Sequence, residues 1–99
     1  MAKLGIHLQN GFDDDEVVVK INGEERMHRH GVRTRRVLGL AEHTQLEVGE
    51  GPITVEVSVP NRGMEQVVEV QPGEEMNLGV SITADGIRAL AHNRRLGYG

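Results

Sequence analysis

The sequence predicts an all-β chain, an antiparallel β-sandwich of seven or eight short strands of immunoglobulin-like or prealbumin-like type. Three observations carry that expectation. Apolar residues alternate with polar ones in several separate stretches, which is the period of a half-buried strand. Turn signals built from Gly, Asn, Asp and Pro divide those stretches at spacings of about ten residues. No stretch has a helical period, and Val, a β-branched residue that favours strands, dominates the apolar runs.

Taken in order, Lys3 to Gln9 reads as a first strand with Leu4, Ile6 and Leu8 on one side and Gly5 and His7 on the other. Asn10 to Glu16 is a loop that holds the only Phe, Phe12, expected to cap one end of the core, and closes on four consecutive carboxylates, Asp13 to Glu16. Glu16 to Ile21 is the second strand, with Val17, Val19 and Ile21 inward and Val18 and Lys20 outward. Asn22-Gly23 marks a hairpin. A two-residue loop there would set Arg26 and His28 against Val19 and Val17 on the core face, a costly burial of charge. A three-residue loop with a bulge, which sets Met27 against Val19, is the better expectation.

Residues 26 to 36 form the sharpest composition shift in the chain: Arg26, His28, Arg29, His30, Arg33, Arg35 and Arg36 fall within it. Val37 to Leu40 is a short apolar run, either strand or turn, and Ala41 to Thr44 leads onward. From Gln45 to Val70 the alternation is regular enough to assign partners. Gly49-Glu50-Gly51-Pro52 reads as a turn that pairs Val48 with Ile53 and Leu46 with Val55. Pro60-Asn61-Arg62-Gly63 reads as a second turn, pairing Val59 with Met64, Val55 with Val68 and Ile53 with Val70, with only Gln66, opposite Val57, breaking the apolar face. The result is a three-stranded antiparallel meander whose other face carries Glu47, Thr54, Glu56, Ser58, Glu65 and Glu69. After a turn at Gln71 to Glu75, Met76, Leu78, Val80 and Ile82 mark another strand. Asp85-Gly86 predicts a two-residue hairpin pairing Ala84 with Ile87, Ile82 with Ala89 and Val80 with Ala91, small residues that suit a sheet edge. The tail, residues 93 to 99, has no period and is expected to be flexible.

Ninety-nine residues make a single domain able to bury a core without covalent staples. The chain contains no Cys, which excludes a disulfide framework and a cysteine-ligated zinc site. A formal charge of −4 argues against the whole surface being a nucleic-acid binder or a binder of acidic membranes. No membrane span or signal peptide is visible. Read from Met1, the chain is expected to be cytoplasmic; if a secretion signal has been removed ahead of it, the expectation is a secreted or cell-surface protein.

The run Val17-Val-Val-Lys-Ile-Asn-Gly-Glu24, followed by Gly49-Glu-Gly-Pro-Ile-Thr-Val-Glu-Val57, resembles small bacterial prealbumin-like modules such as PEGA and carboxypeptidase-regulatory-like domains. Those show a Val-x-Val-x-Gly strand end and a Pro-x-Gly turn before a Val-x-Val strand, and the likeness spans residues 16 to 83. This chain lacks the family's aromatic after the turn and continues Val59 into Pro-Asn-Arg-Gly. Such domains are mostly noncatalytic spacers or binding modules, so the resemblance implies no site residues here.

Three chemistries can be weighed residue by residue. His28-x-His30 on a strand projects both imidazoles from one face, a metal-site geometry that His43 or His7 could extend to three ligands. Against it stand the neighbouring Arg26, Arg29 and Arg33. Arg26, Arg29, Arg33 and Arg35 could bind a polyanion or phosphate, because guanidinium matches such oxygens bidentately. The competing reading pairs these arginines with Asp13 to Glu16 and with Glu24 and Glu25, and the chain lacks the aromatic platforms of single-stranded nucleic-acid binders. Asp13 to Glu16 lacks the alternating spacing of a calcium loop and reads as an acidic solvated loop. No phosphate loop, nucleophile elbow or His-Glu-x-x-His is present, no cofactor is implied, and no catalytic residue stands out. The leading expectation is a noncatalytic interaction or assembly module that meets a protein partner, or a second copy, through strand edges.

Overall fold

The computed structural model describes residues 2–34, 42–49, 51–71 and 75–92. Eight strands account for most of them: β1 (Ala2–Leu8), β2 (Asp15–Ile21), β3 (Glu24–Val32), β4 (Glu42–Val48), β5 (Ile53–Val59), β6 (Met64–Val70), β7 (Glu75–Thr83) and β8 (Gly86–His92). They form two four-stranded sheets, β4-β1-β7-β8 and β3-β2-β5-β6. Alternation in each strand sends one set of side chains between the sheets. Leu4, Ile6, Leu8, Leu78 and Val80 from the first sheet and Val17, Val19, Val55, Val57 and Val59 from the second are completely buried. Each such side chain contributes on the order of 1.5–3 kcal/mol relative to exposure. Phe12 is buried with them, as the reading of the loop before β2 anticipates.

The pairing of β5 with β6 follows the register read from the sequence: Ile53 faces Val70, Val55 faces Val68, Val57 faces Gln66 and Val59 faces Met64. The turn between them is a short 3-10 segment, Pro60–Arg62, closed by Gly63 in the left-handed region at φ 65°. Gly tolerates that conformation without a side-chain penalty.

The first half of the expected meander is corrected. β4 does not pair with β5; it pairs with β1, Leu4 against Leu46, in the opposite sheet. β5 lies instead beside β2, Val57 against Val19 and Val55 against Ile21. The segment after Val48 is therefore an arch between the sheets. Period-two alternation reports which face is inward, and inward is the same place from either sheet, so Leu46 and Val55 both reach the core without being partners.

Three further expectations are revised. The sandwich is not wholly antiparallel, since β1 runs parallel to β7, with Leu4 beside Met76 and Ile6 beside Leu78. That pairing extends past β1 through Gln9 N–H to Val80 O at 2.7 Å and Ile82 N–H to Asn10 O at 2.8 Å. The β7–β8 hairpin turns at Ala84-Asp85, so that Val80 meets Ala89 and Ile82 meets Ile87. Thr83 Oγ1 accepts from Asp85 N–H and donates to Gly86 O, a local clasp that favours this turn. A shift of two residues keeps every side chain on its face, so alternation alone does not select between these registers. β8 nonetheless sits at a sheet edge, in keeping with its small residues.

Between β2 and β3 the turn is the two-residue Asn22-Gly23, with Lys20 opposite Glu25 and Ile21 opposite Glu24, and the pairing then slips by one so that Val19 faces Met27. Arg26 is the extra residue. The bulge keeps Arg26 out of the core and buries Met27, so the expected Met27–Val19 contact arises with a shorter loop than anticipated. Val37 to Leu40, the turn around Pro72 and Gly73, and the tail from residue 93 lie outside the described residues.

Candidate functional site

The register of β2 against β3 builds the most chemically capable cluster on the described surface. β2 alternates Val17 and Val19 inward with Glu16, Val18 and Lys20 outward. β3 places His28 beside Val18, and a second irregularity between Val17 and Asp15 carries His30 toward the end of β2. His28 and His30 therefore share the outer face with Glu16. His28 Nε2 donates to Glu16 Oε2 at 2.6 Å. His30 Nδ1 lies 3.9 Å from the same oxygen. The two imidazole rings are 4.5 Å apart between centroids. His28 Nδ1, on the ring's other side, is 4.0 Å from Glu25 Oε1. The histidine side chains are 36% and 75% exposed, so the cluster opens to solvent.

The sequence pairs His28 with His30 but does not reveal Glu16 as their neighbour, because that requires the cross-strand register. His7 and His43 do not join them. They lie on the outer face of the other sheet, opposite one another in the β1–β4 ladder, with rings stacked at 4.3 Å. There His7 Nε2 donates to Asn77 Oδ1 at 2.9 Å. His7 is only 5% exposed although it points away from the core. Gly5 makes this possible, since a Cβ on it would stand 2.4 Å from Asn77 Oδ1 and 3.2 Å from His7 Nε2. Burial pushes the His7 imidazole below its ordinary pKa; the hydrogen bond to Asn77 acts the other way, and the charge of His43 adds to the lowering.

The basic segment is spread out. Arg26 donates from Nη2 to Glu47 O at 2.8 Å and so ties β3 to β4. Arg29 faces inward in phase with Met27 and donates from Nη1 to His28 O at 3.2 Å. Arg33 follows β3 and pairs with Asp13 at 3.4 Å. Arg26 and Arg33 are seven residues apart, roughly 20 Å along an extended strand. Arg35 lies outside the described residues.

The acidic run is corrected from a solvated loop, because Asp15 is 1% exposed. Its carboxylate receives Arg62 Nε at 2.8 Å and Arg62 Nη2 at 2.7 Å. It also accepts from Asn61 Nδ2 and from Asp13 N–H, each at 2.8 Å. Burial alone would raise the Asp15 pKa, but Arg62, the Asp13 amide and Asn61 together hold it below the ordinary carboxylate value. Asp15 and Arg62 thus form a clamp between the start of β2 and the β5–β6 turn, and Arg62 lies outside the basic segment expected to supply such partners. The neighbouring acids are drawn apart, Asp13 to Arg33 and Glu16 to His28.

The hollows on the described surface are open and polar. One is lined by Asn10, Gly11, Phe12, Asp13, Arg33 and Thr34, another by Gln9, Gly79, Ser81, Arg88 and Leu90 among others. Neither contains His28, His30 or the Asp15–Arg62 clamp. Comparison with family models, with curated proteins and with solved structures found no match, so the functional reading rests on this geometry.

Proposed function

We propose that this chain is a noncatalytic interaction or assembly module that engages another protein, or a second copy of itself, by adding a strand to the edge of a sheet. The observation that carries the reading is the character of β8. It is an edge strand paired in unbroken register with β7 on its inner side. Its described side chains include one charge, Arg88, and Leu90, 46% exposed on the outer face. Edges that resist pairing use bulges and charge. β3, the edge with Arg26 as a bulge, has both of those devices, and β8 has neither bulge nor charge clustering. β6 lies against β8 on the same side of the sandwich, also unbulged, with Val67 48% exposed. Among the described residues these are two adjacent unpaired edges, which offer main-chain donors and acceptors for augmentation, with Leu90 and Val67 as apolar contacts.

The division of strands also supports the prealbumin-like reading over the immunoglobulin-like one. In the immunoglobulin arrangement the second and third strands lie in different sheets, whereas here β2 and β3 form a hairpin within one sheet.

Light scattering on the whole chain, together with affinity capture, tests the proposal. The expected result is a dimer or a captured partner that is lost in Leu90→Lys while the fold is kept. A strict monomer with no captured partner overturns it.

A further inference from the structure

We propose that Glu16, His28 and His30 form a binding site for a single divalent transition-metal ion of the zinc type. The site stands on the outer face of the β3-β2-β5-β6 sheet and does not depend on the β8 edge. Two imidazole nitrogens and one carboxylate oxygen are the donors that zinc accepts, and three protein ligands leave a fourth position for water. One ligand atom from each of the three residues can be chosen so that all lie within 4.8 Å of one another.

The distances fit with little movement. Bonds of about 2.0–2.1 Å to a tetrahedral ion place ligand atoms roughly 3.3 Å apart. The oxygen of Glu16 is 2.6 Å from His28 Nε2 and 3.9 Å from His30 Nδ1, on either side of that separation. Small side-chain rotations bring both to it; the backbone of His28 is held by its pairing with Val18, and that of Glu16 by its N–H donating to Asn61 Oδ1 at 2.8 Å. In the metal-free protein the short contact is a hydrogen bond from His28 Nε2–H to Glu16 Oε2. A metal ion takes the place of that proton, because an imidazole nitrogen must be deprotonated to bind. Glu25 stands 4.0 Å from the other nitrogen of His28, where an outer carboxylate orients a metal-bound imidazole and raises its basicity.

The arginines of the same segment weigh against a cation, and their placement reduces that objection. Arg26 is held on the Glu47 carbonyl and Arg33 on Asp13. Arg29 faces the opposite side of β3 from the two histidines.

The test is calorimetric titration of the whole chain with Zn²⁺, and one ion per chain is expected. His28→Ala, His30→Ala and Glu16→Gln each weaken binding by more than the roughly 10–100-fold cost of outer-shell changes, while His43→Ala leaves it unchanged. His30 is so exposed that its variant keeps the fold, which circular dichroism checks. No saturable binding overturns the proposal and leaves Glu16 and His28 as a hydrogen-bonded surface pair. Binding that persists in the His28→Ala/His30→Ala double variant, or that disappears with His43→Ala, overturns it equally.

Discussion

Replacing Arg62 with Met keeps most of the side-chain stem and removes the guanidinium from a carboxylate that water scarcely reaches. Asp15 is 1% exposed and receives two hydrogen bonds from Arg62. Breaking a buried ion pair from one side costs about 3–5 kcal/mol, because the remaining charge stays buried without its partner. Two features moderate the cost here. Arg62 itself is 32% exposed, so its departure admits water to that side. Asn61 Nδ2 and the Asp13 amide continue to donate to Asp15. The expected loss is therefore about 2–3 kcal/mol. For a domain of this size that lowers the melting temperature by roughly 10–20 °C. The pH dependence supplies an independent check. Asp15 has a folded-state pKa below its unfolded value, so it contributes stability above the unfolded pKa of about 3.9, and that contribution is lost as pH falls through the folded value. Because a protonated Asp15 has little need of Arg62, the gap between wild type and Arg62→Met should narrow as pH falls below about 4. Urea unfolding at neutral and acidic pH measures both effects. A variant within about 0.5 kcal/mol of wild type at neutral pH, the range of ordinary surface substitutions, refutes the reasoning. So does a gap that stays constant down to acid.

Gly11→Ala tests the loop that carries β1 to β2: a Cβ there would stand 2.2 Å from the Ile82 carbonyl oxygen, at a φ of +87°. The left-handed conformation alone costs about 1–2 kcal/mol and the clash adds to it, so an unchanged urea midpoint would contradict the described path of this loop. His7 has its pKa lowered by burial, so the unfolded chain takes up the proton first as pH falls through about 6.5, and stability declines from there toward the lower folded value. His7→Gln should flatten that decline between neutral pH and the lower folded value, and an identical slope in both proteins would show that His7 is not its source.

The sequence makes the faces of the strands legible and leaves many of their partners undetermined. Leu4, Ile6 and Leu8, or Val55, Val57 and Val59, announce their inward direction by alternation, and all of them are buried. Partners are legible where a turn is short and chemically distinctive, as at Pro60 to Gly63. They are not legible where two registers or two sheets satisfy the same alternation. The arch after Val48 could have been a hairpin on face parity alone, and the β7–β8 register could have been offset by two. The parallel pairing of β1 with β7 joins strands far apart in the chain, and no local residue signals it.

The same limit explains why the candidate site is only half visible in the sequence. His28 and His30 are separated by one residue, so strand geometry unites them before any partner is known. Glu16 lies in the acidic run, where it is indistinguishable in sequence from Asp15, yet the two have opposite fates. Their alternation sends Asp15 toward Arg62 on the inner side and Glu16 toward His28 on the outer side. One residue of strand phase thus separates two adjacent carboxylates, Asp15 as a buried structural anchor and Glu16 as a half-buried partner of His28 on the outer face. The bulge at Arg26 is one of the two irregularities that set the β2–β3 register. With the slip at Arg26, Met27 faces Val19 and His28 faces Val18, whereas the unshifted hairpin register would set Arg26 against Val19 and His28 against Val17 on the core side. A single extra residue in the edge strand therefore links the packing of Met27 to the orientation of His28, and a change that erased the bulge would remove core contact and surface chemistry together.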